Sequence, residues 1–334
     1  MTNTTDAHPS ARAYWTVARE RGELRTESLP SVDEDDVLVR TRYSAVSRGT
    51  ERIVHTHAVP PSEYERMRAP FQKGDFPHPV KYGYMSVGVV EAGPRALVDR
   101  TVFCLHPHQD RYVVPASSVT VVPDDVPARR AVLAANVETA VNVLWDARPS
   151  LGDRVAVVGA GVVGCAVAHL AAGIAGVRPT LFDVRSERRD VADALGVPFE
   201  GVAPDTPAPK GFDADVVVHA SGNPDGLSLA LDLAGDEGTV VEASWFGEAL
   251  VPAPLGGAFH SRRLRLVSSQ VGSIPPHRAR RWTHARRIGL ALELLRDSRF
   301  DALLSSEGQF EDIVDALPRA LEDPDTLCAT FRYD

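Results

Sequence analysis

Apolar and polar positions along the chain follow two different rhythms. Up to about Asn136 the apolar stretches are short and tend to alternate with polar ones. Residues 36–41, 86–91 and 100–104 each predict a strand on that ground. Pro and Gly recur between them, which predicts a β-rich, barrel-like domain. A polar insert, residues 55–76, interrupts this pattern. Ser62 is placed to cap a short helix running through Met67, and Gly74 and Pro77 close the segment. From residue 154 onward a strand–helix rhythm takes over. Strands are predicted at 155–158, 180–182, 215–219, 239–243 and 264–268, with helices between most of them. Ser186 reads as an N-cap and Gly196 as the stop of the helix after Asp183. Such alternation predicts a doubly wound parallel sheet with its ligand at the carboxyl ends of the strands. A helix at about 280–296 and a strand-like ending at 327–333, which returns to the first domain, complete the reading.

One turn in the second half carries chemistry. The apolar run 155–158 enters Gly159-Ala-Gly-Val-Val-Gly164, and an Ala-rich helical stretch follows. In such a turn Gly159 permits the tight reversal, Gly161 lets backbone approach a pyrophosphate, and Gly164 lets the helix sit close to the strand. Val162 and Val163 then open a helix whose free N–H groups and positive dipole end suit phosphates. Asp183 ends the next strand, 19 residues past Gly164. Its carboxylate can accept both ribose hydroxyls and repel a 2′-phosphate, which predicts NAD(H). Arg185, with Arg188 and Arg189 nearby, offers the opposing possibility of holding a phosphate and hence NADP(H). Ser221 and Gly222, Ser244 beside Trp245, and Gln270 after Ser269 follow successive later strands. They are the expected nicotinamide neighbours, Trp245 being either a pocket wall or a core aromatic.

Composition narrows the partners. The 334 residues suffice for two domains, and the net charge of -9 argues against nucleic acid or an anionic membrane. The arginine clusters, 262–263 and 278–287, are expected on solvated faces. Cys104, Cys165 and Cys328 share no metal-type spacing and read as small buried residues. No apolar run is long enough to span a bilayer, and residues 1–12 contain no apolar leader core, so a cytoplasmic protein is expected.

The order of elements resembles that of the medium-chain dehydrogenase/reductase superfamily. The residues that carry the likeness are Ser47-Arg-Gly-Thr-Glu51, Gly83-Tyr-Met-Ser-Val-Gly88, Asn136-Val-Glu-Thr139, the glycine turn and His219-Ala-Ser-Gly222. The patterns are similar to zinc-type alcohol dehydrogenase-like proteins, bacteriochlorophyllide a dehydrogenase-like ones among them. The resemblance implies an α/β protein with a discontinuous, β-rich, GroES-like catalytic domain (1–136 and 273–334). A Rossmann dinucleotide-binding domain (137–272) with a doubly wound parallel sheet completes it. It also implies Thr139, at the opening of the helix leading into that domain, packing on the nicotinamide ring, and a homodimer formed through the Rossmann sheets.

The positions that hold zinc in such relatives carry Arg48 (or Ser47), Tyr84 followed by Met85, and about Ala135. None is a good Zn²⁺ ligand, so no zinc is expected. His55 with His57, and His106 with His108, lack an obvious third ligand. Without the metal, donors or cations must carry the charge that develops on a substrate oxygen. Thr50 matches a hydroxyl that touches that oxygen in the relatives. Tyr84 either acts as an acid–base near neutrality, for which it would need a cation, Lys81 or Arg48, or only fills the vacated volume. Glu138 would anchor the substrate, orient Tyr84, or pair with Arg48. The expected activity is hydride transfer between a nicotinamide cofactor and a hydroxyl or carbonyl of a small molecule. A reductase of quinones or activated double bonds and a non-catalytic dinucleotide-binding protein stand as alternatives. The insert reads either as a lid over the substrate or as a surface helix.

Overall fold

The computed structural model describes residues 10–203, 208–209 and 211–334. Of the start read above as lacking an apolar leader, residues 1–9 lie outside the described residues. By contacts the chain forms two units, residues through Ala135 with Leu304–Asp334, and Asn136–Leu303. Residues 273–303, expected in the catalytic domain, therefore belong to the nucleotide unit. The cause is visible in the helix His284–Leu294, whose Arg287 donates to Glu138, Asn142 and the Val271 carbonyl of that unit.

The first unit is β-rich. Its larger sheet runs in the order Leu304–Gln309, Cys328–Arg332, Asp36–Ala45, Ser86–Ala92, Thr101–Cys104 and Val119–Val121, and Arg111–Pro115 pairs with Asp36–Ala45. The terminal strand Cys328–Arg332 thus returns as expected, antiparallel to Asp36–Ala45. Alternation in Asp36–Ala45 sends Val37 and Val39 inward to pack with Val90, Val102, Cys104, Tyr112 and Val114. A smaller sheet holds Arg21–Ser28, Ser10–Ala18, Val80–Lys81 and Lys73–Gly74. The three cysteines are free and buried, as expected of small residues, Cys165 and Cys328 in the apolar settings read from the sequence.

The second unit is a six-stranded sheet in which every pairing is parallel. Its order is Phe199–Gly201, Arg178–Asp183, Arg154–Val158, Ala214–His219, Ala234–Glu242, Arg265–Ser268. Numbered within the unit this is 3-2-1-4-5-6, the doubly wound order whose connections diverge on either side of Arg154–Val158. The strand Phe199–Gly201 escaped the sequence reading because it is only three residues long. Gly196 ends the helix Arg188–Leu195 in the left-handed conformation, as expected, but Glu187, not Ser186, occupies the N-cap, and no side chain caps it. Thr139 sits inside the helix Ala134–Ala147, not at its opening. Among the described residues no helix is long and apolar enough to cross a membrane.

Candidate functional site

In the nucleotide unit the three glycines of the turn have separable roles. Gly159 has φ of 107°, and a Cβ there would fall 2.6 Å from the backbone of Ser221. A Cβ on Gly164 would lie 1.9 Å from the Gly159 carbonyl oxygen, so the helix rests directly on the turn. At Gly161, by contrast, a Cβ meets nothing within 4 Å. That glycine keeps open the space just before the helix Val162–Ala172, of which it is the N-cap, without a side-chain cap. Val162 and Val163 begin that helix and present N–H groups without intrahelical acceptors. The turn therefore fits a pyrophosphate by an absence of bulk at one position and tight contacts at the other two.

Asp183 is pinned beside the same turn. Its Oδ2 accepts the Ala160 N–H at 2.6 Å and its Oδ1 accepts the Arg185 N–H at 2.8 Å. Each oxygen keeps a lone pair for a ribose hydroxyl. Arg188 is buried, and Arg189 donates to the Phe199 carbonyl and lies over its ring.

Ser221, Gly222 and Ser244 come together at the carboxyl ends of two neighbouring strands. His219 and Glu242 are register partners in the parallel ladder, so their side chains share a face. His219 Nδ1 lies 2.6 Å from Glu242 Oε2, and His219 Nε2 lies 2.6 Å from Ser221 Oγ. Glu242 Oε1 accepts the Ser244 N–H at 2.7 Å, and Ser244 Oγ accepts the Gly222 N–H at 3.1 Å. His219 is fully buried. His219 was named only as the first residue of His219-Ala-Ser-Gly222 and Glu242 was not singled out, although the His closes one predicted strand and the Glu stands next to last in the following one. After the last strand, the Gln270 carbonyl accepts Asn142 Nδ2 at 3.4 Å, and Ser269 Oγ donates to Asp146 at 2.7 Å.

Glu138 is not a free acid. Arg287 Nε donates to its Oε1 at 2.9 Å, and the two side chains are 6 % and 1 % exposed. Burial raises the Glu138 carboxyl and the guanidinium opposes that rise. The ion partner of Glu138 is thus Arg287, not Arg48, and Arg287 is sealed, not on a solvated face. The signal was present: Arg287 shares a helix face with Ile288, Ala291 and Leu292.

In the β-rich unit the helix Arg48–His55 supplies Arg48, Thr50 and Glu51. Glu51 Oε1 accepts the Ser47 N–H at 2.8 Å, and its Oε2 meets His108 Nε2 at 3.0 Å. His108 Nδ1 continues to Ser44 Oγ at 2.7 Å and Ser44 to the Tyr333 hydroxyl at 2.8 Å. This buried chain fastens the helix to the larger sheet. Tyr84 lies against Ser47 and Thr50. Burial pushes its phenol up to about 12, with the two hydroxyls acting in the opposite direction. Lys81 does not serve Tyr84. Its Nζ is 2.6 Å from Gln109 Oε1 and 2.9 Å from Glu27 Oε2, and burial, opposed by Glu27, brings it down to about 8. Arg48 is close enough to Asp323 to help hold that carboxyl below its usual range.

The donor set does not fit zinc. Met85 and Ala135 are core residues, and Tyr84 is a neutral phenol. His57 stacks on His78, and His106 stacks on Tyr112 with burial holding it down to about 3. Among the described residues no three His, Cys, Asp or Glu side chains come together as a metal-holding group.

The insert contains no helix at 62–67. A single 3-10 turn, Pro61–Glu63, is followed by further turns, and the Ser62 hydroxyl bonds Glu63 at 3.3 Å instead of capping. Arg68 clasps Asp75 at 2.7 Å and the Gly74 carbonyl at 3.1 Å. Aromatic contacts step from Tyr64 to Phe76 to Tyr82 to Tyr84 with centroids 5.8, 5.8 and 6.0 Å apart. The segment is thus anchored within the β-rich unit.

No protein-family model matches the chain. Over 270 residues it is 26 % identical to the 2-desacetyl-2-hydroxyethyl bacteriochlorophyllide A dehydrogenase of Cereibacter sphaeroides, covering 73 % of this chain and 77 % of that one. Over 316 residues it is 24 % identical to the D-guloside 3-dehydrogenase of Escherichia coli, covering 87 % and 88 %. An alcohol dehydrogenase of Escherichia coli CFT073, solved with NADH, superimposes with a TM-score of 0.77 at 16 % identity, covering 97 % and 99 %. The chain has the two-domain α/β fold of medium-chain dehydrogenases/reductases and zinc-type alcohol dehydrogenase-like relatives.

Proposed function

We propose that this protein is an NAD(H)-dependent oxidoreductase that moves a hydride between the cofactor and a hydroxyl or carbonyl carbon of a small molecule, without catalytic zinc. The observation that carries the reading is the division of labour among Gly159, Gly161 and Gly164, with Asp183 fixed beside them. A bound nicotinamide supplies or accepts the hydride. The chain's own part is to hold it: N–H groups at Val162 and Val163 face the phosphates, and the Asp183 carboxylate takes the ribose hydroxyls and disfavours a 2′-phosphate. Ser221, Gly222 and Ser244 form the polar rim at the strand ends.

Thr50 and Tyr84 are the groups for the substrate oxygen. With a phenol raised to about 12, Tyr84 stays protonated at neutral pH and acts as a hydrogen-bond donor. Lys81, Glu138 and Arg287 are structural. The strand Arg265–Ser268, with every residue exposed at the sheet edge, is the surface for a homodimer. The test is a fluorescence titration of purified protein with NADH and NADPH, with and without Asp183→Ala, together with elemental analysis. Tighter binding of NADH, lost in the variant, and no stoichiometric zinc are expected. Tighter wild-type binding of NADPH, or one tightly held zinc per chain, refutes the reading. A panel of sugar-type and chlorin-type hydroxyl substrates, chosen after the relatives, then identifies the class turned over.

A further inference from the structure

We propose that His219 and Glu242 form a polarity relay that makes Ser221 an obligate hydrogen-bond acceptor. Through it the strand-end loop selects the donor-bearing face of the bound dinucleotide. The inference rests on the dinucleotide reading above and assigns a positioning role to two residues that the reading does not use.

The argument is a count of protons and lone pairs. A carboxylate only accepts, and Glu242 Oε2 sits 2.6 Å from His219 Nδ1, so an imidazole with one ring proton carries it on Nδ1. Nε2 is then an acceptor, and the hydrogen that meets it, at 2.6 Å, is that of Ser221 Oγ. The alternative acceptor for that hydroxyl, the Asn223 carbonyl, is more distant at 3.4 Å. With its hydrogen committed inward, Ser221 oxygen has two lone pairs. The Asn223 N–H takes one at 3.1 Å. One remains, on an exposed residue next to Gly222 and against the glycine turn. A ligand reaching this point must bring an N–H or O–H. A nicotinamide carboxamide and a ribose hydroxyl both satisfy that chemistry. The relay is held from behind as well: the second Glu242 oxygen accepts from Ser244, and Gly226 is the only residue type that fits, since a Cβ there would fall 2.3 Å from Ser221 Oγ and 2.8 Å from His219 Nε2.

Glu242→Gln reverses the chain without changing its shape. The glutamine oxygen keeps the Ser244 N–H, its amide donates to Nδ1, and the imidazole proton moves to Nε2. Nε2–H then donates to Ser221, whose two lone pairs are now both filled, and the serine is left only as a donor. The experiment measures dissociation constants of the full chain for NAD⁺ and for its deamido analogue, in which a carboxylate replaces the carboxamide. Wild type, Glu242→Gln and Ser221→Ala are compared. The wild type is expected to prefer NAD⁺. Glu242→Gln should weaken NAD⁺ about tenfold, the size of one lost hydrogen bond, and narrow or invert the preference for the deamido form. Ser221→Ala, at an exposed position, should weaken NAD⁺ similarly but give the deamido form no gain. A variant that only disturbed packing would weaken NAD⁺, its deamido form and an analogue lacking the ribose hydroxyl alike. An NAD⁺ analogue lacking a hydroxyl on its nicotinamide ribose separates the two donors: if the ribose is the source, Glu242→Gln no longer weakens that analogue. Unchanged affinities and preference in both variants overturn the relay while leaving the dinucleotide reading intact. Failure of the wild type to bind either dinucleotide overturns both. If Glu242→Gln fails to fold, Ser221→Ala decides alone.

Discussion

Replacing Arg287 by Ala should be among the most damaging single changes available in the nucleotide unit. The guanidinium is 1 % exposed and serves three acceptors: Glu138 Oε1 at 2.9 Å, the Asn142 side-chain oxygen and the Val271 carbonyl. Truncation leaves a buried carboxylate, itself 6 % exposed, without its counter-ion. Removing one member of a buried pair typically costs about 3–5 kcal/mol, whereas replacing both by apolar side chains of similar volume is often nearly neutral. Arg287→Ala should therefore cost about 3–5 kcal/mol, and Arg287→Met with Glu138→Leu should recover most of it. Urea unfolding followed by tryptophan fluorescence suits the test, because Trp145 and Trp282 pack with tilted rings, their centroids 4.7 Å apart, in this same unit. The pH dependence has a definite sign. An unpartnered Glu138 has a folded pKa raised above its unfolded value of about 4.3, so its protonated form favours folding at acid pH. The deficit of Arg287→Ala should be smallest below about pH 4 and grow as pH rises through the raised pKa. A loss under about 1 kcal/mol at neutral pH, or a double variant no better than the single one, would refute the reasoning.

Gly161→Ala should fold as the wild type does and lose dinucleotide affinity by tenfold or more, since its Cβ enters open space kept for the ligand; Gly164→Ala should lower the thermal midpoint, because its Cβ meets the Gly159 carbonyl at 1.9 Å. If both lost only binding, the division of roles would be wrong. The Glu27 carboxyl is held down to about 2, burial being overcome by hydrogen bonds from Lys81 and Lys73. Its contribution is present above an unfolded pKa of about 4.3 and lost as pH falls toward 2, so Glu27→Gln should destabilise at neutral pH and flatten that acid limb. Tyr84, raised to about 12, should leave no ionisation of its own below about pH 10 in the rate profile of the wild type; a limb between pH 7 and 9 that Tyr84→Phe abolishes would show a perturbing cation at the site. Leu266 and Val267 are 40 % and 36 % exposed on the edge strand Arg265–Ser268, so Leu266→Glu with Val267→Glu should convert a dimer to a monomer in sedimentation.

What the sequence disclosed and what it withheld divide along physical lines. The glycine turn, its flanking strand and helix, and Asp183 were legible because each residue's duty is local. A positive φ at Gly159, a close contact at Gly164 and an open flank at Gly161 are all consequences of a reversal within six residues. The fold class followed from the same source, since two periodicities place strands and helices without any knowledge of long-range contacts. Functional assignments that needed a partner fared worse. Lys81 stands three residues from Tyr84 in sequence, yet its short strand turns it toward Glu27 and Gln109, so proximity along the chain misdirected the assignment. Glu138 was given a substrate role or Arg48 as its partner because its counter-ion lies 149 positions away, on a helix counted among solvated arginines. His219 and Glu242 are 23 residues apart and meet only because parallel pairing puts them in register. A periodic pattern reports which face of an element is buried, but not which neighbour's polar atom waits there. Charged side chains on the apolar face of a helix, as Arg287 is, and polar pairs closing consecutive parallel strands are the two sequence signals that would have narrowed that gap.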